Sequence, residues 1–79
     1  MKITKDFNGV KHTIEAIGWE GDYAEVIIDG YLVKRIKMGY RHERTWDDHM
    51  GNTYCGYYID VKLKGCKRRV YADEIRLFG

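Results

Sequence analysis

At 79 residues the chain has room for one domain with one modest core, because a domain this small buries only roughly 60% of its unfolded surface. A composition of 44% hydrophobic and 33% charged residues argues for a folded chain, and 14 Lys and Arg against 12 Asp and Glu leave a net charge of +2. That balance, with a pI near 8.5, excludes mimicry of DNA by negative charge and falls below the pI of ~9 expected of a dedicated nucleic-acid domain. The whole positive excess lies in residues 40–79. No apolar run approaches the ~20 residues of a membrane span, and Met1 to Asp6 contains no signal-peptide core, so the expected location is cytoplasmic. The chain has no Ser, which excludes a Ser-His-Asp triad.

Asn8-Gly9 is the first turn signal, and a two-residue loop there predicts a hairpin. It pairs Phe7 with Val10, Asp6 with Lys11, Thr4 with Thr13, Ile3 with Ile14 and Lys2 with Glu15. Phe7, Val10, Ile3, Ile14 and Ala16 then share one face, and the other face receives two opposite-charge pairs and a threonine pair. Each such pair contributes about 0.2–1 kcal/mol, and a slip of one residue would scramble both faces.

Gly18-Trp19-Glu20-Gly21 is expected to turn the chain into a second hairpin, whose tip is Asp29-Gly30. A two-residue tip pairs Ile28 with Tyr31, Val26 with Val33 and Glu25 with Lys34. Ile27 and Leu32 fall on the opposite face, which predicts a hairpin covered on both sides at the centre of the fold.

Gly39 to Gly56 has no period-two pattern and is long for a structureless connection. Within it, Thr45 is placed to cap one helical turn from Trp46 to Met50, with Asp47 and Asp48 at its positive end and Gly51 as its stop. Lys64-Gly65 marks a third hairpin, setting Leu63 beside Cys66, Asp60 beside Arg69, Ile59 beside Val70 and Tyr58 beside Tyr71. Arg68 then faces Val61 on the apolar side, and a bulge or a longer turn with a left-handed Gly65 would relieve that clash. Ala72-Asp73-Glu74 reads as a tight turn, and Ile75 to Phe78 as a last short strand.

Six or seven short strands in successive hairpins predict a single all-β domain over residues 1–79, a small antiparallel barrel with at most one helical turn. The tail from Val70 to Phe78 resembles the end of an SH3-like barrel, in which a hairpin is followed by one tight turn and a short closing strand.

Several constellations bear on function. His42, Asp47, Asp48, His49 and Cys55 are ligand types crowded into fourteen residues, but their spacing matches no standard zinc pattern, so no metal or other cofactor is expected. Cys55 and Cys66, with His12, His42 or His49, supply the residue types of a thiolate mechanism. Cys66 on the apolar face beside Leu63 fits an inert thiol better, Cys55 in the Gly-flanked end of the long loop fits a reactive one better, and so small a barrel leaves little room for a substrate pocket. The expectation is therefore a non-enzyme with reduced thiols. The spacing Gly18-x-x-Gly21 fits the backbone clamp of one RNA-binding fold, which requires flanking helices that this pattern lacks.

Lys62, Lys64, Lys67, Arg68 and Arg69 crowd the third hairpin near Tyr57, Tyr58 and Tyr71, a combination suited to phosphates and stacked bases of a single strand. Against this stands a plain solvated edge, with Asp60 neutralising part of the patch. Seven Tyr and two Trp exceed what so small a core buries. Tyr40, Arg41, Arg44, Trp46 and Tyr54 gather in the long loop and are of the types that dominate protein interfaces, unless Trp46 folds back as a core plug. The favoured expectation is a macromolecular partner, a protein ahead of nucleic acid. In style the chain resembles the small accessory proteins of phages and mobile elements, which often block a host enzyme or defence complex.

Overall fold

Three tips carry two consecutive residues with positive φ: Asn8-Gly9 (55° and 89°), Asp29-Gly30 (54° and 79°) and Lys64-Gly65 (50° and 81°). This is the type I′ geometry, whose twist matches that of paired strands, and Asn and Asp enter the left-handed region more readily than other residues with a side chain. Across the first tip, Asp6 Oδ1 accepts the Gly9 N–H at 2.8 Å.

The computed structural model describes residues 2–47 and 53–78, with the backbone alone for Arg44, Trp46, Asp47, Thr53 and Tyr54. Its strands are β1 (Lys2–Phe7), β2 (Val10–Glu20), β3 (Tyr23–Ile28), β4 (Leu32–Lys37), β5 (Gly39–Tyr40), β6 (Trp46–Asp47), β7 (Thr53–Tyr54), β8 (Tyr57–Leu63) and β9 (Cys66–Tyr71), with a 3-10 turn at His42–Arg44. They form an antiparallel sheet in the order β1-β2-β3-β4, a second in the order β5-β8-β9, and the short ribbon β6-β7. The protein is all-β. No helix among the described residues is long and apolar enough to cross a membrane.

The first and third hairpins hold the expected registers, Phe7 with Val10 and Leu63 with Cys66 at their tips. No bulge relieves Arg68 opposite Val61. Instead Val61 is buried and Arg68 reaches out, donating from Nε to the Asp6 carbonyl at 2.7 Å. Val10, expected on the covered face, is half exposed.

Four expectations are corrected. The Asp29-Gly30 tip closes with Tyr31 N–H donating to the Ile28 carbonyl, but the ladder then pairs Ile28 with Leu32, Val26 with Lys34 and Glu25 with Arg35. Tyr31 is an extra residue, and that shift of one turns Val33 outward and leaves Tyr31, Leu32 and Val33 exposed. The turn expected over Gly18 to Gly21 begins only at Gly21. β2 runs on to Glu20, with a bulge at Ile17, and the chain reverses at Gly21-Asp22. Trp46-Asp47 is extended and pairs with Thr53-Tyr54, whereas the anticipated helical turn would continue through residues 48–50, which lie outside the described residues. The tail forms no closing strand: Leu77 N–H donates to the Ala72 carbonyl, and Arg76 takes a φ of 50°.

The tail still keeps its apolar alternation, with Ile75 and Leu77 buried and Arg76 and Phe78 exposed. The largest fully buried side chains are Ile14, Ile28, Ile59, Ile75, Val26, Val61 and Val70. These branched aliphatics fill the space between the sheets. Phe7 is the aromatic buried among them, and the described Tyr and Trp rings lie at or near the surface.

Candidate functional site

The bulge at Ile17 decides where Trp19 goes. Ala16 pairs with Val26 on the core face, and strict alternation would send Trp19 to the outer face. The inserted residue resets the alternation, so Trp19 pairs with the buried Ala24 and emerges at the rim of the core side. There it meets Phe78 edge to face, with ring centroids 5.2 Å apart. Phe78 meets Tyr57 in the same manner at 5.6 Å, and Tyr57 packs against Tyr40 at 4.9 Å. The four rings form a continuous row, each 41–53% exposed. Segments from both sheets and from the tail contribute to it.

Three of these rings border a cleft of about 290 Å³, lined by Trp19, Gly21, Asp22, Met38, Cys55, Tyr57 and Phe78. Its floor is anchored by the backbone: Met38 N–H donates to the Asp22 carbonyl at 2.7 Å, and Met38 and Cys55 pack against the core. Asp22 is the one charged residue in the lining, and its carboxylate makes no hydrogen bond or ion pair with the described residues.

Two glycines permit the close approach that sets the Tyr40 end of the row. A Cβ on Gly39 would fall 2.3 Å from the ring of its cross-strand partner Tyr58, and one on Gly56 would fall 2.1 Å from the Arg41 carbonyl oxygen. Arg41 N–H in turn donates to the Gly56 carbonyl at 2.9 Å. These contacts hold Tyr40 opposite Tyr57.

Of the residues expected to bind protein, Tyr40 therefore joins the row, with its hydroxyl 3.0 Å from Thr45 Oγ1. Arg41 is occupied locally by Glu43, donating from Nε at 2.6 Å. The Glu43 carboxyl lies below its usual range, chiefly through its own backbone N–H and then through Arg41. The ribbon sets Trp46 directly opposite Tyr54, and Arg44 ends the 3-10 turn before it; the side chains of these three lie outside the described residues. Trp19 and Phe78 are missing from the sequence-based set because one lay in an assumed turn and the other in an assumed strand. Their signal was the surplus of aromatic residues over core volume.

The basic hairpin divides into two parts. Arg69 is committed: it donates to Asp60 at 3.1 Å, stacks 3.9 Å from the Tyr58 ring centroid, and has its pKa raised first by the Asp60 bond. Tyr71 meets Tyr58 edge to face. Lys62 and Lys67 face each other across the ladder, exposed and without an ion pair among the described residues, and Lys64 sits at the tip.

The described residues bring no further constellation together. No group of three His, Cys, Asp or Glu that could hold a metal occurs among the described residues; Asp48, His49 and the side chain of Asp47 lie outside them. Cys55 and Cys66 are free thiols, each partly buried. His12 Nδ1 lies 2.5 Å from Asp29 Oδ2, His42 stands beside the Tyr40 ring, and among the described residues neither bonds to a cysteine. Gly18 and Gly21 are flanked by strands, so no helix-bordered RNA clamp forms. No protein-family model, curated protein or solved structure matches the chain.

Proposed function

We propose that the chain is a non-enzymatic protein-binding module whose contact surface is the aromatic row Trp19, Phe78, Tyr57 and Tyr40, continuing onto the Arg41–Arg44 turn and the Trp46/Tyr54 ribbon. The observation that carries this reading is the row itself: four rings packed on one another, each with roughly half its area free. Rings held by neighbouring rings lose little further entropy on binding, which is why aromatic anchors dominate interface energetics. An accessory or inhibitory protein works by such occlusion. In the same reading the two sheets are halves of an SH3-like barrel, supported by the links from β1 to the other sheet and the tail, Arg68 to the Asp6 carbonyl and Lys5 to Glu74 at 3.7 Å.

A second reading, single-strand nucleic acid on the β8-β9 hairpin, has one observation in its favour: Lys62 and Lys67 are opposed, without an ion pair among the described residues, on the ladder that also pairs Tyr58 with Tyr71. Two others count against it. Arg69 already covers Tyr58, and the larger aromatic surface carries the carboxylate of Asp22, which repels phosphate. Capture from a lysate of the source cells, with and without nuclease, separates the two. The protein-binding reading expects a nuclease-resistant partner that is lost with Trp19→Ala. Nuclease-sensitive capture lost with Lys67→Glu would replace it.

A further inference from the structure

We propose that the cleft beside Trp19 receives the alkylammonium of a lysine side chain on the partner protein, an inference that rests on the protein-binding reading above. Three features of the cleft converge on this occupant. Its volume of about 290 Å³ lies at the floor of the ~300–1,000 Å³ range of small-molecule sites, which suits one inserted side chain. Its walls are rings set nearly perpendicular, Trp19 to Phe78 at 82° and Phe78 to Tyr57 at 75°, so that their π faces point in different directions around a shared rim. Such faces attract a cation within ~6 Å of their centroids. The third feature is charge. Asp22 is the single acidic residue of the lining, and its carboxylate makes no ion pair with a described residue.

A lysine fits this arrangement along its whole length. Its four-carbon stem lies against Met38 and Cys55, and its ammonium sits over the rings near Asp22. Asp22 repels an anionic side chain and gives a neutral apolar one no charge to pair with. The binding of the stem and the recognition of the charge are thus separable by experiment.

The test uses the whole chain and two blocked pentapeptides, acetyl-Ala-Ala-Lys-Ala-Ala-amide and the same peptide with norleucine in place of lysine, followed by NMR of the Trp19 ring and the Met38 methyl. The lysine peptide is expected to shift both signals saturably and about 2- to 5-fold more tightly than the norleucine peptide, the size of an exposed cation–π contact. Asp22→Asn is expected to weaken the lysine peptide severalfold and leave the norleucine peptide unchanged. Trp19→Phe is expected to retain part of the binding that Trp19→Ala loses, which separates lost ring area from a disturbed fold. Equal binding of both peptides, or no binding of either, overturns the inference. Failure of the parent reading has a different signature: a natural partner whose affinity ignores Trp19→Ala and Phe78→Ala, whatever the pentapeptides do.

Discussion

Phe78 meets Trp19 edge to face at 5.2 Å although no ladder joins their segments. Trp19 belongs to the four-stranded sheet, and Phe78 follows the turns that leave the three-stranded sheet. The tail is positioned for this by Ile75 and Leu77, both buried, which leave Phe78 on the outward side of the alternation. The pair therefore couples the two sheets at the surface. Denaturation of Trp19→Ala, Phe78→Ala and the double variant is expected to give a coupling of about 0.5–1.5 kcal/mol, the range of aromatic pairs. Strict additivity of the two single changes would show that the contact contributes nothing of its own.

The glycine positions make a sharper comparison. Gly56→Ala drives a methyl into the Arg41 carbonyl, which is fixed backbone, and is expected to cost about 1–3 kcal/mol. Gly18→Ala meets nothing within 4 Å and has no positive φ, so its effect is expected within about 0.5 kcal/mol. Thermal unfolding of the two variants checks the difference. Equal melting temperatures would mean that the β5-β8 junction yields freely.

Two of the three hairpin registers were legible because Asn8-Gly9 and Lys64-Gly65 pass directly from a type I′ tip into a paired ladder. At Asp29-Gly30 the tip follows the same rule, but Tyr31 is extruded before the pairing begins. The flanking run, Ile27-Ile28 and Tyr31-Leu32-Val33, is apolar on both faces and so carries no alternation to reveal the slip. The bulge at Ile17 is hidden for a similar reason: one inserted residue in Ala16-Ile17-Gly18 leaves no compositional trace. Hence Tyr40 could be assigned to the surface from its loop, while Trp19 could not.

Asp29 supplies a pH dependence. Its carboxyl lies below the ordinary range, first through the side-chain bond with His12 and then through the Thr13 N–H. A folded pKa below the unfolded one means the contribution is complete above the unfolded value of ~3.9 and is lost as pH falls through the folded value. Asp29→Asn, which keeps the left-handed tip conformation accessible, is expected to be less stable than the native chain at neutral pH. The two unfolding curves should converge in strong acid. A difference that stays constant down to pH 2 would place the effect elsewhere.

The ribbon is expected to extend the contact. Replacing Arg44 and Trp46 together with Ala should cost about 2 kcal/mol or more of partner affinity, the hot-spot threshold, while barely moving the melting temperature. Large destabilisation with intact affinity would make Trp46 a core plug.

The most direct measurement is the calorimetric affinity of the captured partner for the native chain, for Trp19→Ala with Phe78→Ala, and for Lys62→Glu with Lys67→Glu. The aromatic pair is expected to cost about 2 kcal/mol or more, roughly 30-fold in Kd, and the lysine pair little. Unchanged affinity in the aromatic variant, with binding lost in the lysine variant, would contradict the account and move the interface to the basic hairpin.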